Sequence, residues 1–139
     1  MTQALGARRR RPMLLLVEDA LTTRCILEQH FARAGCDVLQ AAEPDTALMR
    51  LRAASVDMVI LDLRLGADRS GLEVLEQMRL QERYAEVPVV VLTAVDKVTA
   101  EEQETIERFG AQLLYKWQGF REIVEELDEM IGTLLRRAA

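Results

Sequence analysis

Residues 56–65 read VDMVILDLRL, in which Met58, Val59, Ile60 and Leu61 form an unbroken apolar run that stops at a carboxylate, Asp62. A strand apolar on successive residues has both faces covered, the setting of a central parallel strand between two helical layers. Residues 13–17 (MLLLV) and 89–92 (VVVL) have the same character, residues 113–115 (LLY) a weaker form, and Val38 with Leu39 a shorter one. Segments of helical length separate these five runs.

The helices carry their own signals. Between residues 20 and 34, Leu27, Phe31 and Ala34 recur at spacings of four and three, and Gly35 follows where a left-handed residue ends a helix. Pro44 suits the first position of a second helix carrying Ala47, Leu48 and Leu51. Gly71 precedes a third, with Leu72, Leu75 and Met78 on one face. Thr99 and Glu102 have capping-box spacing at the head of a fourth, which takes Ile106 and Phe109 to the core before Gly110. The last helix sets Ile123, Leu127, Met130, Ile131 and Leu134 against Glu122, Glu125, Glu126 and Glu129 on a solvated face. Strands alternating with such helices predict parallel pairing through right-handed crossovers, an open doubly wound α/β sheet with its ligand site at the carboxyl ends of the strands.

Composition narrows the class. With 139 residues, half of them apolar, and a net charge of −5, the chain predicts one soluble domain with no global signature of nucleic-acid or acidic-lipid binding. Arg8, Arg9, Arg10 and Arg11 make a local basic run, read as a flexible charged leader over residues 1–12. The apolar run after it ends at Glu18, whereas a secretory core needs about 7 to 15 apolar residues and a spanning helix about 20, so a cytoplasmic protein without a membrane partner is expected. Cys25 and Cys36 lack metal-binding spacing and are both expected to be small buried residues. His30 is given no phosphotransfer role.

The strand ends decide the chemistry. Glu18 and Asp19 follow the first run, Asp62 the third, Thr93 the fourth and Lys116 the fifth, so the proposed fold gathers them at one rim. Carboxylates about 5 Å apart repel by roughly 3 kcal/mol per pair at an effective dielectric near 20, and need raised pKa values or a cation. Oxygen ligands on loop ends suit Mg2+. Asp62 beside such an ion can attack phosphorus, and the phosphoryl oxygens would then meet the metal, the Lys116 ammonium and the Thr93 hydroxyl.

Five stretches of the chain, LLLVEDA from Leu14, VDMVILDLRL from Val56, SGLEVLEQMR from Ser70, PVVVLTA from Pro88, and Tyr115 with Lys116, resemble the receiver domains of two-component response regulators. The resemblance implies a flavodoxin-like (βα)5 fold with strand order 2-1-3-4-5 over residues 13–137. It implies Asp62 as phosphoacceptor, with Thr93 as switch hydroxyl and Lys116 as phosphate-binding lysine. Mg2+, replaceable by Mn2+, would be held by Glu18, Asp19, Asp62 and the backbone carbonyl of Arg64. The donor would be a phosphohistidine on a histidine kinase or phosphotransfer protein.

Departures from the family pattern carry expectations of their own. Trp117 stands where proline usually follows the lysine, favouring a trans bond or a rearranged loop over a non-proline cis bond. Gly66 replaces another proline and GADRSG is one residue longer than usual, which predicts a more mobile loop. Leu113 occupies the place of the aromatic switch residue, and Tyr115 has moved next to Lys116. Arg64 and Val95 hold the two positions that tune hydrolysis, and neither is a carboxylate or amide, so slow self-dephosphorylation is expected. The chain after Lys116 is consumed by the last helix, so a stand-alone receiver without an output domain or direct DNA binding is expected. It would not be an enzyme but a switch, signalling through its fourth helix, fifth strand and fifth helix to a protein target or to a second copy in a homodimer. The alternative is a receiver-like interaction module that is never phosphorylated. A haloacid-dehalogenase phosphatase would need an acid where Arg64 stands, and an FMN carrier would need a phosphate loop after the first strand.

Overall fold

The computed structural model describes residues 11–137. Five strands, β1 (Met13–Val17), β2 (Asp37–Ala41), β3 (Met58–Asp62), β4 (Val89–Thr93) and β5 (Gln112–Tyr115), form one sheet in the order β2-β1-β3-β4-β5. Every pairing is parallel, with Leu14 against Met58, Asp62 against Leu92 and Thr93 against Tyr115. This is the doubly wound order 2-1-3-4-5 expected from the alternation of runs.

The five helices are α1 (Leu21–Arg33), α2 (Pro44–Ala53), α3 (Leu72–Arg79), α4 (Ala100–Arg108) and α5 (Phe120–Arg137). Side chains alternate across a strand, and here the alternation divides the core in two. Leu14, Leu16, Met58, Ile60, Val90 and Leu92 pack with Leu27 and Phe31 of α1 and with Ile123, Leu127 and Ile131 of α5. Leu15, Val17, Val59, Leu61, Val89 and Val91 pack with Ala47 and Leu51 of α2, Leu75 and Met78 of α3, and Ile106 of α4. The central strands are thus apolar up to the polar residues, Asp62 and Thr93, that end β3 and β4, because both faces meet helices. The edge strands β2 and β5 are less buried, which is why their runs are short in the sequence.

Helix ends follow local chemistry. Pro44 opens α2, and Thr99 Oγ1 accepts the Glu102 N–H at 3.1 Å while Glu102 Oε1 accepts the Thr99 N–H at 2.8 Å, so the capping box at α4 is complete. Gly110 turns the chain out of α4 with φ +66°, a conformation that costs glycine little.

Four expectations are corrected. Cys25 is exposed and only Cys36 is buried. Ala34 lies exposed beyond the last residue of α1, whose buried stripe is Leu27 and Phe31. Glu126 is half-buried rather than fully solvated. The GADRSG segment is not a loose loop: Arg64–Leu65 and Arg69–Ser70 pair as a short antiparallel ladder, and the Arg69 guanidinium clamps it to Glu73 and Asp45.

Of the expected basic leader, residues 1–10 lie outside the described residues. Arg11 donates to Asp37 Oδ1 at 3.0 Å and to the Cys36 carbonyl at 3.1 Å, and the Pro12 carbonyl accepts the Asp37 N–H. No helix among the described residues is long and apolar enough to cross a membrane.

Candidate functional site

β1 and β3 are neighbours, so the residues that end them meet at the carboxyl rim of the sheet. Carboxylate oxygens of Glu18, Asp19 and Asp62 all lie within 4.8 Å of one another. Lys116, just past β5, spans the gap from the far side: its Nζ donates to Glu18 Oε1 at 2.7 Å and to Asp62 Oδ2 at 3.0 Å. Glu18 and Asp62 are buried and Asp19 is exposed, so the cluster opens to solvent on the Asp19 side.

The backbone completes the cradle. The Arg64 N–H donates to Asp62 Oδ1 at 3.3 Å, the Gly66 N–H to Asp19 Oδ2 at 3.1 Å and the Ala20 N–H to Glu18 Oε2 at 3.2 Å. Thus the hairpin after β3 reaches back to both aspartates. Arg24 of α1 donates to the Glu18 carbonyl at 2.7 Å and the Asp19 carbonyl at 3.3 Å, pinning the corner that presents the acidic pair. Gly71 N–H donates to the Leu63 carbonyl at 2.9 Å and packs directly under Asp62.

Burial, with Asp62 nearby, pushes the Glu18 carboxyl up to about 7 against the opposing hydrogen bond from Lys116. Burial also works to lower the Lys116 ammonium, but its bonds to Glu18 and Asp62 outweigh this and hold it above its ordinary value. Burial works to raise Asp19, yet its hydrogen bonds with Glu18 and the Gly66 N–H hold it below the usual carboxylate range. A group of hard oxygen donors that raises one of its own pKa values is charge-frustrated, and a divalent cation relieves it. The donor set therefore fits Mg2+, with Glu18, Asp19 and Asp62 as the side chains able to hold it.

Four of the side chains singled out in the sequence, Glu18, Asp19, Asp62 and Lys116, come together directly. Thr93 is fully buried one residue beyond Leu92, the pairing partner of Asp62, and its hydroxyl accepts the Val95 N–H at 3.2 Å rather than bonding to any of the four. The Lys116–Trp117 peptide is trans, and a 3₁₀ turn over Lys116–Gln118 stacks the Trp117 ring on Tyr115 with centroids 5.2 Å apart. Arg64, expected to offer its carbonyl to the metal and a side chain that positions no water, sends its guanidinium to the Glu102 carboxylate. Sequence reasoning also missed Arg24 and the packing role of Gly71. Arginines two turns from a site and glycines under one carry no local pattern. A cavity of about 400 Å3, bordered by Pro12, Asp57, Arg83, Pro88 and Leu134, lies at the opposite, amino end of the strands and contains none of these residues.

The response regulator receiver domain model matches residues 14–128. The transcriptional activator protein PfeR of Pseudomonas aeruginosa is 36% identical over 129 residues, covering 91% of this chain and 38% of its own length. The DNA-binding dual master transcriptional regulator RpaA of Synechocystis is 30% identical over 128 residues, covering 91% of this chain and 50% of its own. The chain therefore spans half or less of the length of these curated relatives. Among solved structures, the Vibrio cholerae chemotaxis protein CheY4 superposes with a TM-score of 0.71 at 24% identity, covering 94% of this chain and all of that one. The two-sided core, the acidic rim and the family match over residues 14–128 agree, and the chain belongs to the receiver-domain family of two-component response regulators.

Proposed function

We propose that this receiver domain accepts a phosphoryl group on Asp62 from a phosphohistidine donor and acts as a conformational switch. The observation that carries the reading is the convergence of Glu18, Asp19 and Asp62 within 4.8 Å, with Lys116 bonded to two of them. In the transfer, the N–P bond of the donor breaks, an O–P bond to the Asp62 carboxylate forms, and the released imidazole takes up a proton. Mg2+ bound by the acidic group supplies charge neutralisation for the transferring oxygens. The chain's own residues do the rest. The Arg64 N–H orients one Asp62 oxygen, Lys116 leaves its carboxylate partners to pair with phosphoryl oxygens, and Thr93 turns its hydroxyl from Val95 to the phosphoryl group. The exposed Asp19 side leaves the rim open to a donor as bulky as a protein. The backbone carbonyl of Arg64 would join the three carboxylates in holding the metal.

Output passes through α4, β5 and α5 to a protein target. The basic run at residues 8–10 is read as a charged leader, while Arg11 is tied to the domain through Asp37 and the Cys36 carbonyl. A second reading, a receiver-like module that is never phosphorylated, is favoured by one observation: Tyr115 is stacked on the exposed Trp117, and Leu113 fills the place of the aromatic switch. Incubation with acetyl phosphate and Mg2+ separates them. The expected result is a mass gain of one phosphoryl group in the wild type and none in Asp62→Asn; a wild type without the gain overturns the proposal in favour of the silent module.

A further inference from the structure

Arg64 touches two parts of the molecule at once. Its backbone N–H holds Asp62 Oδ1 at 3.3 Å, while its guanidinium makes a two-pronged contact with Glu102, Nη1 to Oε2 and Nη2 to Oε1, the latter at 3.5 Å. Glu102 is in turn fixed by the capping box at the head of α4, where its Oε1 accepts the Thr99 N–H. The two ends differ in freedom: the Glu102 side chain is 14% exposed and that of Arg64 is 48% exposed.

The charge count at the rim gives this bridge a use. A phosphoryl group on Asp62 brings a charge of about −1.5 to −2 and three strong acceptor oxygens. Lys116, once it leaves Glu18 and Asp62, and Thr93 meet part of that demand, each phosphoryl oxygen accepts more than one hydrogen bond, and the guanidinium of Arg24 is spent on two backbone carbonyls and Gln40. Arg64 is anchored to the phosphoacceptor by its own backbone, is half in solvent, and presents the planar fork that binds phosphate oxygens bidentately. Its present partner is a single carboxylate, a weaker attraction than a dianion.

We propose that Arg64 is the residue that reports phosphorylation to α4: the phosphoryl group on Asp62 draws the guanidinium away from Glu102, and the head of α4 is released from the site. The exchange supplies a coupling that does not need the aromatic residue replaced by Leu113. It rests on Asp62 being phosphorylated, as proposed above.

Amide hydrogen exchange of residues 99–104, measured on the full chain in Mg2+ with and without saturating beryllofluoride, tests it. In the wild type, exchange is expected to rise about two- to five-fold on beryllofluoride binding, the range a partly exposed ion pair sustains. Glutamine serves at the same capping position, so Glu102→Gln keeps the helix capped and removes only the ion pair. That variant is expected to show the fast exchange beforehand and no further rise. By linkage it is also expected to bind beryllofluoride about two- to five-fold more tightly, because Arg64 starts free. A purely structural Glu102 would leave that affinity unchanged. Beryllofluoride binding with no change at residues 99–104, or a Glu102→Gln response equal to the wild type, overturns the exchange and leaves phosphorylation standing. A wild type that takes up neither beryllofluoride nor a phosphoryl mass overturns both.

Discussion

A Cβ built on Gly71 would lie 2.0 Å from the carbonyl oxygen of Asp62 and 2.6 Å from Cδ1 of Leu61, closer than real contacts permit. Gly71 has an ordinary helical φ of −61°, so glycine is required by close approach and not by backbone freedom. Gly71→Ala must push the end of β3 aside. Overpacking of this kind costs about 1–3 kcal/mol, and the expected outcome is a lower urea midpoint together with reduced phosphoryl uptake, because the displaced atom belongs to the phosphoacceptor itself. Glu18 gives a second prediction at this scale. Its folded pKa, about 7, lies above the ordinary 4.5, so the folded state binds the proton more tightly than the unfolded one. The stability this contributes is complete below pH 4.5 and is lost as pH rises through about 7. Urea midpoints of the metal-free protein should therefore fall across that window, and Glu18→Gln should flatten the fall; an equal slope in both proteins would remove Glu18 as its source.

At the scale of elements, the turn after α3 holds the molecule together more than its length suggests. Tyr84 is buried, and its hydroxyl lies 2.6 Å from the carbonyls of both Leu51 and Ala54 while accepting the Val56 N–H at 3.3 Å. These carbonyls belong to the end of α2, which lacks a glycine stop, and Arg83 donates to the same group. Arg79 does likewise for the carbonyls of Phe109, Tyr84 and Val87, each within 2.8 Å. Side chains from the end of α3 and the turn after it thus satisfy open carbonyls at the ends of α2 and α4 and within the turn itself. Tyr84→Phe keeps the packing but leaves Val56 N–H without its acceptor, and a loss of about 1–3 kcal/mol is expected from chemical unfolding. The ends of α2 and α4 illustrate the difference in legibility. Thr99 and Glu102 cap α4 from three residues apart and could be read directly, whereas Tyr84 reaches α2 across 30 residues of chain.

For the whole molecule, the prediction concerns how long the switch stays on. Arg64 and Val95 flank the site without a carboxylate or amide to position an attacking water. After donor removal, phosphoryl loss followed by mass spectrometry is expected to take far longer than seconds; loss within seconds would show that another group orients the water. Taken alone, the sequence sets the layering of the molecule, since an apolar run such as Met58, Val59, Ile60 and Leu61 is stable only between two covered faces, and three such runs with two lesser ones, alternating with helices, leave few topologies. It also sets the membership of the acidic rim, because strand ends in a parallel sheet share one edge. It takes the folded molecule to show that Cys25 faces solvent, that GADRSG closes into a clamped hairpin, that Tyr115 stacks on Trp117, that Gly71 lies under Asp62, and that Arg64 pairs with Glu102. Periodicity reports which face of an element is apolar, a local property of neighbouring residues. Which side chain meets which across tens of residues depends on the packing of whole elements, and no short-range pattern encodes it.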